Sequence, residues 1–152
     1  MLVSLRAAPF DAYHELERYQ SGRLPGNFQF GATASFVGTM RDFNDGTAVA
    51  NMTLEYYPGM TEKCLERIVE SELAKWPDMD CLLVHRVGDI SPGESIVLVA
   101  VWSSHRGPAF DACRKIMEEL KARAPFWKRE TLPTGEQRWV EKNTDGYVGS
   151  SR

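Results

Sequence analysis

The residues that could carry chemistry in this 152-residue chain are basic, and they flank a single predicted helix. His105 and Arg106 come just before the helix, Lys121 lies near its end, and Lys128 and Arg129 follow it. Exposed N–H groups at a helix start favour anions, and arginine offers a planar fork that suits phosphate. Because the formal net charge of the chain is −3, this cluster predicts a local anion site rather than a general nucleic-acid-binding face.

Lys121 occupies the most informative of these positions. A turn of about 100° per helical residue places it at the border of the apolar stripe, near Met117 and Leu120. Partial burial would lower the proton affinity of its amine and let it act as an acid, a base or a nucleophile, whereas extension into water is the alternative. Lys128 and Arg129 are neighbours on a predicted strand, so their side chains point to opposite faces, and we place Lys128 in the pocket first.

The length of the helix separates the two ends of the basic cluster. His105 and Lys121 are sixteen positions apart, and a rise of about 1.5 Å per residue puts them roughly 20 Å or more apart. One small ligand cannot contact both residues within one chain. Either the chain has two anion sites, or a two-fold dimer brings the helix start of one subunit to the helix end of the other, which we favour. The alternative to an anion site at His105 and Arg106 is that His105 caps the helix and Arg106 extends into solvent.

The elements that must position these residues follow from the apolar spacing, which predicts an α+β protein with a largely antiparallel sheet. Two main amphipathic helices are predicted at 61–76 and 107–123. Two apolar strands lie between them, and the second, at 96–102, is so uniformly apolar that both faces are expected to be covered. The other predicted elements are a strand at 2–7, a short helix capped by Asp11 and ending near Tyr19, strands at 28–41, 52–57 and 82–87, a polar turn at 42–46, and a closing hairpin of 126–132 and 137–141.

Composition and length indicate one domain over 1–142 and a loose tail at 143–152. No apolar run approaches the roughly 18 residues of a membrane span, and the first residues lack the features of a signal peptide, so we expect a cytoplasmic protein. No phosphate-loop or dinucleotide-binding motif is present in the sequence. We expect no metal and no cofactor, because the cysteines have no metal-like spacing to the histidines; they are Cys64, Cys81 and Cys113.

Several separated motifs follow one another along the chain. They are Phe36-Val37-Gly38-Thr39-Met40-Arg41, Leu54-Glu55-Tyr56-Tyr57-Pro58-Gly59-Met60, His85-Arg86-Val87-Gly88, Ser104-His105-Arg106, and Lys121 with Ala124-Pro125-Phe126-Trp127-Lys128-Arg129-Glu130. Together they resemble the large, catalytic subunit of molybdopterin synthase, over most of the chain. The resemblance implies an α/β hammerhead fold and transfer of sulfur to cyclic pyranopterin monophosphate, which forms the dithiolene of molybdopterin.

The same resemblance implies partners and roles. Sulfur would arrive as a thiocarboxylate on the C-terminal Gly-Gly of a small ubiquitin-like subunit, and the large subunits would form a homodimer within a heterotetramer. Lys121 and Lys128 would be catalytic, Lys121 by proton transfer or by stabilising negative charge. The implied substrate-binding residues are Thr39, Met40, Arg41, His105, Arg106, Lys121, Lys128, Arg129 and Glu130.

Two other functions are compatible with a basic pocket. A non-catalytic dimeric module could grip a partner's C-terminal carboxylate with Lys and Arg, and it would bind the tail without turnover. A small phosphoester hydrolase would need a general base together with a nucleophile or a metal. No carboxylate pair or histidine-rich metal set stands out in the sequence, so the hydrolase is disfavoured.

Overall fold

Apolar residues with a period of 3.6 form the helices, whereas unbroken apolar runs such as 96–102 form the central strands and alternating residues such as those of 52–56 form the outer ones. The structure, a computed structural model, describes residues 1–24, 26 and 29–141. The tail predicted at 143–152 lies outside the described residues. The elements are β1 (Leu2–Arg6), α1 (Ala12–Arg23), β2 (Ala32–Thr39), β3 (Phe43–Asn44), β4 (Thr47–Ala48), β5 (Asn51–Tyr56), α2 (Met60–Leu73), β6 (Asp80–Arg86), β7 (Gly88–Ile90), β8 (Ser95–Ser103), α3 (Arg106–Arg123), β9 (Phe126–Thr131) and β10 (Gln137–Val140).

The first sheet has the strand order β1-β6-β8-β2 and is antiparallel except for the parallel pair β1 and β6. The two faces of β8 enter two different cores, which confirms that both faces are covered. Val97, Val99 and Val101 pack with α2 and α3, whereas Leu98 and Trp102 pack with α1. The first sheet is therefore the middle layer of the molecule and provides the rigid base on which α3 lies.

The second sheet has the order β10-β9-β5-β7, and the predicted closing hairpin forms two of its strands. A separate second sheet was not expected, because apolar spacing identifies strands but not their pairing. The polar turn predicted at 42–46 is part of a longer feature. Strands β3 and β4 pair with each other as a two-stranded ribbon that extends to Ala48. Asp45 and Gly46 make its tip with φ values of 49° and 74°, a conformation that Asp-Gly adopts readily.

Helix α1 begins as predicted and ends later. The Asp11 carboxylate accepts hydrogen bonds from the N–H groups of Tyr13 and His14 at 3.0 and 3.1 Å, which caps the helix. The helix continues to Arg23, beyond the predicted end at Tyr19. Neither α1, α2 nor α3 has both the length and the apolar character needed to cross a bilayer.

Helix α3 buries most of its predicted apolar stripe against the first sheet. Ala109, Cys113, Ile116 and Leu120 are buried, but Phe110 is 66% exposed, so its place in the stripe was wrong. Phe110 lies one position after Ala109 and is therefore turned by about 100° away from the sheet. This turn places the Phe110 ring beside the cleft described next.

Candidate active site

A cleft of ≈ 1140 Å³ opens between the two sheets and α3. Its walls come from β2, β6 and β8 of the first sheet, from β5 and β9 of the second, and from one side of α3. Its volume exceeds the roughly 300–1,000 Å³ of ordinary small-ligand pockets, so it has room for more than a single small molecule. Among the predicted substrate-binding residues, those that line it are Thr39, Met40, Arg41, Lys121, Lys128 and Glu130.

Four lysine and arginine residues line this cleft, and the charges of three of them, Arg41, Lys121 and Lys128, act on one another. Lys121 lies in the last turn of α3 and is open to solvent through the cleft. Burial by the surrounding protein lowers the pKa of Lys121, and the positive charges of Lys128 and Arg41 lower it further. The free amine is thus more accessible near neutral pH than in an isolated lysine, while the combined positive charge favours an anionic ligand.

Strand β9 presents its residues alternately to the cleft and away from it. Phe126, Lys128 and Glu130 line the cleft, whereas Arg129 lies on the other face with its guanidinium 5.6 Å from the centre of the Trp139 ring. The strand is paired on both sides, with β5 and with β10, which fixes this alternation. The structure therefore does not bring Arg129 to the cleft, and substrate contact by Arg129 stays a prediction.

Glu130 holds this wall together. Its carboxylate is 2% exposed and accepts hydrogen bonds from Asn44 Nδ2 at 2.6 Å and from Arg138 Nε at 2.9 Å. Lys128 Nζ lies 3.7 Å from the same carboxylate. These contacts connect the β3–β4 ribbon, β9 and β10, so Glu130 fixes the position of Lys128 rather than presenting an open face to a ligand.

Arg41 enters the cleft from a restrained backbone. The preceding residue, Met40, donates its N–H to the Glu94 carbonyl at 2.9 Å and accepts from the Gly93 N–H at 2.8 Å. The Arg41 guanidinium lies over the Phe43 ring, 4.9 Å from its centre. The pairing of Met40 with the 93–94 turn and the stacking on Phe43 leave Arg41 with few alternative directions.

His105 and Arg106 lie at the opposite end of α3. Helix α3 begins at Arg106, both residues are exposed, and neither lines the cleft. His105 occupies the N-cap position but its side chain makes no capping hydrogen bond, so the alternative of a capping histidine is wrong. Within one chain the structure separates this pair from Lys121, as the length of the helix predicts.

Comparison with known proteins identifies the family. A family model described as MoaE protein matches residues 5–123. The chain belongs to the MoaE family. A relative from Pseudomonas aeruginosa, named molybdopterin synthase catalytic subunit, is 43% identical over 152 residues, covering 100% of this chain and 98% of the relative. A relative of the same name from Ralstonia nicotianae is 50% identical over 139 residues, covering 91% of this chain and 76% of the relative.

A solved structure agrees with this assignment. The molybdopterin biosynthesis MoaE protein of Burkholderia ambifaria superimposes with a TM-score of 0.76 at 44% identity, covering 95% of this chain and 92% of that protein. Membership of the MoaE family confirms three expectations from the sequence: the family resemblance, the α+β fold, and the enzymatic function of a molybdopterin synthase catalytic subunit.

His85 is a cleft residue of this MoaE chain that the sequence predictions left out. It lies near the end of β6, is 9% exposed and stacks on Phe126 with ring centres 4.3 Å apart. Burial is the main cause that lowers the pKa of His85 to about 4. A histidine directly after the apolar run 82–84 is a signal that could have identified it, but its exposure to the cleft depends on how α3 and β9 pack.

The cysteines of this MoaE chain that are buried are not activated. Burial raises the pKa of the Cys81 thiol and raises that of Cys113 to about 11, so both are protonated at neutral pH. Cys113 lines the cleft, where its thiol lies 3.8 Å from the Val99 carbonyl. A protonated thiol is a poor nucleophile, so Cys113 does not supply a reactive sulfur to the cleft.

Proposed function

We propose that this chain transfers sulfur from a thiocarboxylated small subunit to cyclic pyranopterin monophosphate, forming the dithiolene of molybdopterin. The observation that carries the proposal is the placement of Arg41, Lys121 and Lys128 in one cleft. Both reactants are anions, one through its phosphate and the other through its thiocarboxylate. These three cations, in a cleft that Arg114 also lines, match two such anions and would stabilise negative charge that develops between them.

The source of the sulfur follows from the thiols. Burial raises the pKa of Cys113, the cysteine that lines the cleft, which disfavours it as a sulfur donor and supports a donor outside the chain. A thiocarboxylate at the C-terminal Gly-Gly of a small ubiquitin-like subunit meets this need without any activated cysteine. Its glycines carry no side chains, which suits a tail that enters a cleft lined by the exposed rings of Phe36, Phe43 and Phe110.

Within this reaction the cleft residues take separate tasks. Arg41, whose guanidinium is held over Phe43, binds the substrate's phosphate with help from the neighbouring Thr39 hydroxyl. Met40 is buried and contributes by fixing the backbone before Arg41 through its hydrogen bonds to the 93–94 turn. Lys121 is the catalytic group, by proton transfer or by stabilising developing negative charge, and Lys128 acts beside it. Glu130 contributes by holding Lys128.

A homodimer within a heterotetramer accounts for His105 and Arg106. Both are exposed at the start of α3, remote from the Lys121 end of the same helix. In the dimer, this pair from one subunit completes the cleft of the other and binds substrate there. The small subunit then occupies each cleft from its solvent side.

Mixing two inactive variants tests the shared cleft. His105→Ala and Lys121→Ala proteins are expected to regain activity when subunits are exchanged, because half of the dimers are then mixed and each mixed dimer holds one intact cleft. About a quarter of the sites should recover, measured as turnover relative to the unmutated protein. An absence of recovery despite subunit exchange demonstrated by mass spectrometry would reject the shared cleft.

Reconstitution tests the activity itself. The chain is mixed with a thiocarboxylated small subunit and cyclic pyranopterin monophosphate, and we expect a dithiolene product. Lys115→Ala is a matched control, since Lys115 also lies on α3 but pairs with Glu119 at 2.9 Å outside the cleft, and it should leave turnover unchanged. Tail binding without product would instead support the alternative, a dimeric module that binds a partner's C-terminal carboxylate.

We further assign the activity to a single catalytic domain over 1–142 and the protein to the cytoplasm. Strands β2 and β9, which lie far apart in sequence, line the same cleft, which supports one catalytic unit. The three cysteines are free thiols, which suits a reducing compartment.

A further inference from the structure

Arg86 is a buried arginine that the contents of the cleft do not explain. It is the last residue of β6, is 3% exposed and does not line the cleft. Its Nη1 donates to the Ala7 and Val87 carbonyls at 3.1 and 2.7 Å, and its Nη2 donates to the Asp89 carbonyl at 2.7 Å. Burying a guanidinium is costly unless its donors are used, so these contacts hold the chain around Arg86 in place.

A further contact of Arg86 leads to the turn between β7 and β8. Its Nη2 lies 3.4 Å from Glu94 Oε2, in an ion pair whose arginine is buried and whose glutamate is 31% exposed. The same carboxylate oxygen accepts from the Ser91 N–H at 3.1 Å, and the Glu94 N–H donates to the Ser91 carbonyl at 3.1 Å. Glu94 therefore closes the 91–94 turn, and Arg86 attaches this turn to the end of β6.

The 91–94 turn also holds the backbone that leads to Arg41. The Glu94 carbonyl accepts from the Met40 N–H at 2.9 Å, and the Gly93 N–H donates to the Met40 carbonyl at 2.8 Å. Just before this point, at the end of β2, the pairing of β2 with β8 shifts register. A register shift of this kind redirects the residues that follow it. The direction of Arg41 is therefore set by pairing with the turn and not by a regular strand ladder.

We propose that Arg86 and Glu94 are positioning residues for phosphate binding. Arg86 anchors the 91–94 turn through Glu94, and the turn fixes the backbone from which Arg41 enters the cleft. This role rests on the proposed function, in which Arg41 binds the phosphate of the pterin. A guanidinium must meet phosphate in one geometry to form two hydrogen bonds, so a small displacement of its backbone weakens binding.

Substitutions at both ends of the ion pair test this role. Glu94→Ala removes the carboxylate that joins Arg86 to the turn, and Arg86→Lys keeps the buried charge but replaces the fork with one ammonium that cannot reach all of its acceptors. We expect each variant to raise KM for cyclic pyranopterin monophosphate roughly tenfold. The kcat should change little, because phosphate binding is weakened equally in the ground state and the transition state.

Asp89→Asn is the matched control on the neighbouring strand. The Asp89 carboxylate accepts from Thr53 Oγ1 at 2.6 Å, on the exposed side of β5 and β7. Its carbonyl, which the substitution leaves in place, still accepts from Arg86. The control should therefore leave KM for the pterin unchanged.

Two readouts separate positioning from a general loss of structure. If Glu94 acts through Arg41, the double variant Arg41→Ala with Glu94→Ala should have a KM no higher than that of Arg41→Ala alone. Hydrogen exchange measured by NMR should show the Met40 amide exchanging at least about tenfold faster in Glu94→Ala, with the amide of Val99 in the middle of β8 unchanged.

Thermal unfolding establishes that each variant is folded, and Glu94→Ala, at a partly exposed side chain, carries the test if Arg86→Lys does not fold. An unchanged KM in a folded variant of either residue would overturn the proposal. A rise in KM that adds in full to that of Arg41→Ala would overturn it as well. An unmutated protein that makes no dithiolene would reject the proposed function, whereas Met40 exchange would still decide whether Glu94 fixes the backbone before Arg41.

Discussion

Replacing Lys121 by alanine is expected to lower kcat for dithiolene formation at least about a hundredfold, the usual effect of losing a general acid or base. Burial lowers the pKa of Lys121, and the positive charges of Lys128 and Arg41 lower it further. Alanine removes the amine but leaves the apolar stripe of α3 intact, so folding should be preserved. Steady-state kinetics with a thiocarboxylated small subunit measure the loss, and thermal unfolding confirms the fold.

The pH dependence of kcat distinguishes the two roles of Lys121. Its ammonium form predominates below its pKa and its free amine above it, and this pKa lies below that of an ordinary lysine. If the ammonium donates a proton or stabilises negative charge, kcat falls as the pH rises through that pKa. If the amine accepts a proton, kcat rises instead. Full activity of Lys121→Ala would refute a catalytic role for Lys121 and leave the function of the chain standing.

Glu130→Gln is expected to lower the free energy of unfolding by about 2–3 kcal/mol, because a buried ion pair loses one partner. The glutamine keeps the shape of the side chain but leaves Arg138, which is 35% exposed and partly compensated by water, without its carboxylate. Lys128 loses the same anchor, so kcat/KM should fall as well. Chemical denaturation followed by circular dichroism measures the change in stability.

A control on the same hairpin separates this effect from a general sensitivity of the strands. Glu136 lies in the turn between β9 and β10 and is exposed, so Glu136→Gln should change the free energy of unfolding by no more than about 0.5 kcal/mol. Equal and small effects of the two substitutions would show that the Glu130 contacts do not hold the wall of the cleft.

The sequence predicted the helices and most strands because their signals are local. The apolar stripe of α3 and the alternation along β9 depend on residues within one or two turns or pleats. The alternation also predicts that Lys128 and Arg129 point apart, as the structure has them. Pairing of strands is not local, so the second sheet and the β3–β4 ribbon were not expected.

The candidate site shows the same division. Helical and strand geometry singled out Lys121 and Lys128, the family resemblance added Arg41, and the structure places all three in one cleft. No role was assigned to His85 from the sequence motif that contains it. Its place in the cleft wall depends on its contact with the Arg86 carbonyl and on its stacking against Phe126, which is distant in sequence. Only the packing of three elements makes this ring part of the site.

By itself, the sequence determined which residues can do chemistry and how far apart they lie along an element, since the helical rise alone separates His105 from Lys121. The tertiary structure decided which of them meet. Arg41 follows β2 of the first sheet, Lys128 lies on β9 of the second sheet, and Lys121 lies in the last turn of α3. Their common cleft arises from long-range strand pairing and burial of the α3 stripe, and no spacing within a single element encodes that arrangement.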